Sequence, residues 1–206
     1  MSGAVQPARR WDPLVRITHW GVAAAVVANG LITEGGSQVH IWIGLAVAAL
    51  LALRLAWGFA GPVEARFRSF PPSPGRAIAH VRDIFAGRHV SHRSHNPLGA
   101  LMAYALWATL AVLIASGVAM TGFPPRAGNE GAERPATVST SALADEDDEG
   151  ESEGAGEILE EVHEIAADLL LVLAGLHLVG VAFETRRSGR QVVLAMIGGK
   201  GKTKER

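Results

Sequence analysis

Four apolar blocks dominate the chain, at residues 15–32, 41–60, 98–120 and 158–183. Each is close to the roughly 17–25 residues a helix needs to cross a hydrocarbon core. No water in such a core can satisfy a free backbone N–H or C=O, so a run of this kind is read as a membrane helix. The chain is therefore expected to be all-α, an integral membrane four-helix bundle. Of its 206 residues 49% are hydrophobic, and their concentration in blocks separates the chain from a soluble domain.

The net charge of −1 conceals an asymmetry that predicts a topology. Residues 124–161 carry twelve of the twenty acids and only two basic residues, Arg126 and Arg134. Sixteen of the nineteen Lys and Arg lie in the segment up to Arg16, in the second connection (61–96) and after Phe183. In a four-helix topology those three regions share one side, and the positive-inside rule makes that side cytoplasmic. Both termini are then expected in the cytoplasm and the acidic stretch on the outer face. The location expected is the bacterial cytoplasmic (inner) membrane, crossed several times. The first block follows Arg9, Arg10 and Arg16 as a signal peptide would. It is long for the apolar core of one and carries His19, so it is read as a retained helix.

Punctuation places the ends. Asp12-Pro13 and Asn96-Pro97 are cap and first-turn pairs, and Gly61-Pro62 stops the second helix, which is expected to open at His40. Residues 76–88 carry Ile78, Val81, Ile84 and Phe85 at helical spacing, which suits an amphipathic helix on the cytoplasmic membrane surface. Residues 124–156 are acidic and rich in Gly, Ser and Ala without aromatic anchors, so disorder is expected there.

Ionisable groups inside a membrane are costly and mark functional sites. His163 and His177 lie fourteen residues apart in one apolar helix. That separation is a rise of about 21 Å and a rotation about 40° short of whole turns, so both imidazoles share a face at two depths. With the topology above, His19 begins the first helix on the inner side and His40 the second on the outer side. Depth pairs His40 with His163 and His19 with His177. Two imidazoles from different helices can clamp one haem iron from both axial positions, and bundle sites are commonly built this way. A single intramembrane histidine is as readily a polar residue bonded to a neighbouring helix. Four that pair by depth are harder to explain so. The chain has no cysteine, which excludes disulfides, cysteine-held iron–sulfur clusters and covalent c-type haem.

Arg54 follows His40 by fourteen residues, again about 21 Å on nearly the same face, which carries it to the depth of the inner pair. It is expected either to pair with haem propionates or to snorkel to the cytoplasmic headgroups. Gly21, Gly44, Gly117 and Gly175 lie in helix interiors, where they make room for a macrocycle or let helices pack closely. His89, His92 and His95 form H-x2-H-x2-H, but Arg88 and Arg93 interleave and favour a solvated basic loop over a metal site. His95 stands at the membrane boundary, where it is a candidate for a quinone and proton-exchange site. His80 is expected on the surface. The acidic loop is open to two roles, a solvating linker or a field that steers a basic partner.

The runs WDPLVRITHW, HIWIG, RLAWGFAGP, HNPLG and HEIAADLLLVLAGLH resemble the bacterial cytochrome b561 family, which includes the cytochrome b subunits of nickel–iron hydrogenases. The resemblance covers the four helices and the second connection and fails across the acidic loop. It implies a four-helix bundle holding two haems b, non-covalently and by bis-histidine ligation. The family's histidine pattern falls on His19, His40, His163 and His177, and a family arginine on Arg54.

The expected organisation is a disordered tail (1–10), a di-haem membrane domain (11–123 and 157–184), an acidic disordered outer loop (124–156) and a basic cytoplasmic tail (185–206). The expected function is to carry electrons across the membrane between the quinone pool and a periplasmic redox partner such as a c-type cytochrome. One alternative is the membrane-anchor cytochrome b subunit of a nickel–iron hydrogenase. An alternative of another class is a histidine-lined divalent-metal transporter. Membrane lipid is an expected partner and nucleic acid is not. No catalytic residue is assigned, since oxidoreductase activity is expected only with quinone or a partner complex.

Overall fold

The structure, a computed structural model, describes residues 11–88, 96–122 and 149–197, with the backbone alone at 149–153, 188, 191 and 192. Six α-helices follow in order: α1 (Pro13–Leu31), α2 (Gln38–Ala60), α3 (Pro74–Phe85), α4 (Pro97–Thr121), α5 (Glu149–Ser188) and α6 (Gln191–Ile197). Two single 3₁₀ turns, Val63–Ala65 and Phe67–Ser69, sit between α2 and α3. No strand occurs among the described residues. Four helices, α1, α2, α4 and α5, are long and apolar enough to cross a membrane.

The caps are those the sequence signals. Asp12 Oδ1 accepts from the amides of Leu14 and Val15 at 2.9 and 3.3 Å, with Pro13 in the first turn. The same oxygen accepts from Trp57 Nε1 at 3.1 Å, so the start of α1 is tied to the end of α2. Asn96 caps α4 through Gly99 N at 2.7 Å. Helix α2 starts at Gln38 rather than His40, because Ser37 is its cap and accepts from His40 N at 3.2 Å. The α1–α2 turn contains Gly36 at φ 74°, a left-handed conformation that glycine adopts without a Cβ penalty.

Helix α5 is the largest departure from the expected boundaries. It is 40 residues long and begins at Glu149, inside the stretch read as the acidic loop. Helix propagation costs little once a packed segment has nucleated it, and the run Glu157-Ile158-Leu159-Glu160-Glu161 consists largely of good helix formers.

All four spans meet in one apolar cluster. Val47 and Leu51 of α2, Leu110 of α4 and Leu170 of α5 are buried together, with Val22, Ala25 and Val26 of α1 packed against them. On each span that carries histidine, the cluster falls on the interior side of it: after His19, after His40, and between His163 and His177. Outside the bundle, Ile17, Leu31, Trp42, Val172, Leu178 and Val179 are all more than half exposed. A contiguous apolar exterior of this extent is what a lipid-facing surface presents. The amphipathic helix expected in the second connection is α3, which packs on α4 and buries Ala77.

Two histidine pairs as the candidate cofactor site

The structure brings the four histidines together as two pairs. His40 and His163 have ring centroids 6.2 Å apart with planes inclined by 60°. His19 and His177 have centroids 6.1 Å apart, inclined by 57°. Helix α5 supplies one member of each pair, and α2 and α1 supply the others. The fourteen-residue spacing on α5 therefore sets the separation of the two sites along the bundle.

Whether such pairs suit a haem is a matter of donor chemistry and space. An imidazole nitrogen lies about 2.0–2.1 Å from a bound first-row metal, so two rings on opposite sides of one ion have centroids about 6 Å apart. Both pairs have that spacing. Among the described residues, no group of three or more His, Cys, Asp or Glu converges on a common point. A site built from protein alone wants about four ligands. A macrocycle that fills the equatorial positions needs two, the number each pair offers. His19 Nδ1 and Arg54 Nη1 are buried without a hydrogen-bond partner, as groups awaiting a polar ligand would be. The donor set and the spacing fit.

The surroundings of the pairs differ. Ser116 Oγ of α4 lies 2.9 Å from His163 Nδ1. Thr33 Oγ1 lies 3.4 Å from His40 Nδ1 and 3.2 Å from Asn29 Oδ1, while Asn29 Nδ2 donates to His40 O at 3.0 Å. At the other pair, the Trp20 ring meets His19 edge-on at 5.1 Å. Arg54 lies toward that pair's end of the bundle, where Trp57, one turn on, bonds Asp12. Arg54 is 5% exposed, so it does not snorkel to the headgroups. Its Nη2 donates to Ala65 O at 3.3 Å, and its guanidinium carbon stands 4.9 Å from the Trp107 ring centroid, a cation–π contact. Phe67, Phe70 and Tyr104 pack around Trp107 in T-shaped, edge-to-face contacts. Gly58 permits this, since a Cβ there would collide with the Phe67 ring. Arg16 and Trp20 of α1 donate to the carbonyl of Met196, and Arg16 also to that of Ile197, which pins α6 beside His19.

The four interior glycines divide. A Cβ on Gly21 would stand 2.9 Å from Leu50 Cδ1, and one on Gly117 3.3 Å from His163 Cε1, so both allow close helix packing. Gly44, one turn after His40, and Gly175 have nothing within 4 Å of a Cβ. Gly44 is half-buried and Gly175 is exposed. His80 is on α3, whereas His89, His92, His95 and the acidic residues 124–148 lie outside the described residues. Ser116, Thr33, Asn29 and Trp107 were not singled out by sequence. For Ser116 a signal existed, a hydroxyl inside the one span without histidine.

A multi-pass helical membrane bundle with histidines paired between its spans has the features of a membrane cytochrome. The chain is a member of the prokaryotic cytochrome b561 family, whose model matches residues 10–199. It is thus a multi-pass bacterial membrane protein, a b-type cytochrome of electron transport, and the family implies haem b. No curated protein and no solved structure matches the chain.

Proposed function

We propose that the protein holds two haems b, one between His40 and His163 and one between His19 and His177, and carries electrons between the two membrane faces. The observation that supports this most directly is the occurrence of two imidazole pairs with equal spacing, one toward each end of the same bundle. The two imidazoles of each pair would hold a haem, which when bound would supply one-electron redox chemistry.

The chain's own contributions are distinct. The helices hold the imidazoles in register, the apolar cluster between the pairs keeps water from the interior, and Arg54 offers a guanidinium to the propionate carboxylates near the His19–His177 pair. By the positive-inside rule, the basic connections support an orientation with the α3 and α6 end in the cytoplasm and the α1–α2 turn outside. Electrons then pass between a quinone bound near the inner pair, with His95 as its proton-exchange group, and a periplasmic partner such as a c-type cytochrome. A divalent-metal transporter would need a cluster of protein ligands, and the pairs offer two imidazoles each.

A visible spectrum and pyridine haemochrome assay of protein made with ample haem tests this reading. Two haems b per chain, both low-spin, are expected. A value near one or zero sinks the proposal.

A further inference from the structure

Ser116 lies in α4, the one span that contributes no histidine, and is 4% exposed. Its Oγ is 2.9 Å from Val112 O, 3.1 Å from Leu113 O and 2.9 Å from His163 Nδ1. A serine hydroxyl has one hydrogen and two lone pairs. Backbone carbonyls can only accept, so the hydrogen goes to the carbonyls of the preceding turn, the back-bond a helical serine commonly makes. The lone pairs are left for His163, whose ring also meets the Leu113 carbonyl, an acceptor only, so Nδ1–H is the donor toward both oxygens. A neutral imidazole protonated on Nδ1 carries its free lone pair on Nε2. Gly117 limits the ring along the same edge, since a Cβ there would stand 3.3 Å from His163 Cε1.

We propose that Ser116 is a positioning residue for His163: it accepts from Nδ1–H, fixes the tautomer and the ring orientation, and so presents Nε2 to the cofactor. This assignment rests on the two-haem reading above. It distinguishes His163 from its counterparts. His19 Nδ1 is buried with no partner, and Thr33 Oγ1 is 0.5 Å farther from His40 Nδ1 than Ser116 Oγ is from His163, while also meeting Asn29. An imidazole that donates its second N–H to oxygen is a more basic metal ligand. It favours the ferric state and lowers the reduction potential on its side of the membrane.

The test uses the full-length protein with its haems and three substitutions. Ser116→Ala removes the hydroxyl acceptor and leaves only the Leu113 carbonyl, and Ser116→Thr keeps the hydroxyl. Thr109→Ala removes a buried hydroxyl of the same helix that back-bonds to Ala105 O at 3.0 Å. In Ser116→Ala the haem held by His163 is expected to titrate higher by up to about 59 mV, a tenfold change in a one-electron equilibrium, with altered ferric g-values in electron paramagnetic resonance. Ser116→Thr should restore both readouts, and Thr109→Ala should leave both as in wild type. If Ser116→Ala loses that haem altogether, its recovery in Ser116→Thr supports the assignment, and loss in both overturns it. Unchanged potential and g-values in Ser116→Ala, or an equal shift in Thr109→Ala, also overturn it. A His163→Ala variant that keeps both haems would instead refute the pairing beneath it.

Discussion

His40 and His163 are approached by hydroxyls from the α1–α2 turn and from α4, whereas His19 and His177 lie toward the end of the bundle that buries a guanidinium. The residue type and the ring spacing are nearly the same at both ends. What differs is the environment that sets a metal's electronics: hydrogen bonds to the ligand at one end, a buried positive charge near the other. Two sites made from the same residue type thus differ in their surroundings while offering the same pair of imidazoles.

The strongest way to break this comparison is to remove the ligands. His40→Ala or His163→Ala should cost one of two haems and largely spare the other, while His19→Ala or His177→Ala should do the reverse. Haem counting with redox titration on each variant reads this out. If His40→Ala and His19→Ala abolished the same redox species, the two pairs would not be separate sites.

Arg54 sharpens the comparison further. Arg54→Met keeps much of the apolar stem and removes the charge. The potential of the haem at His19–His177 should fall, since a nearby cation favours the reduced form, and the other potential should stay put. The lost charged bond to Ala65 O should also cost about 2 kcal/mol of stability. Redox titration with thermal unfolding in detergent measures both. Equal shifts at the two haems would show that the guanidinium is not local to one end.

The sequence disclosed those features of the comparison that run along a single helix. Block lengths and hydropathy are one-dimensional, so the spans were legible, and so was the depth of His163 and His177, because helical rise is fixed. The pairing with His19 and His40 followed from topology and charge alone. Lateral neighbours were not legible. Nothing in the pattern of α4 says that Ser116 points at His163 rather than Val112 alone, or that Trp107 meets Arg54, because each depends on how two helices are rotated against one another. The start of α5 at Glu149 was missed for a different reason: composition predicts a solvated loop there, and a helix anchored downstream overrides it.

The smallest effect concerns the approach to the His40–His163 end. Glu157, Glu160 and Glu161 are exposed on α5, within about 9 Å of rise from His163, and residues 145–149 carry five further acids in sequence. Among the described residues, the other pair has single acids, Asp12 and Glu184, seven residues from its histidines rather than a cluster. A field of this kind raises the association rate of a basic partner and is screened over a Debye length of about 8 Å at physiological ionic strength. Neutralising Glu157, Glu160, Glu161 and residues 145–149 to Gln and Asn should slow oxidation by a basic cytochrome c about tenfold at low salt, the lower end of electrostatic steering. Raising the salt should erase the difference, and electron exchange between the two haems should not change. Stopped-flow mixing at several ionic strengths would show it. Rates equal to wild type at low salt would leave the acidic segment as a solvating linker, and the two ends of the bundle would then differ in their haem surroundings but not in how they meet a partner.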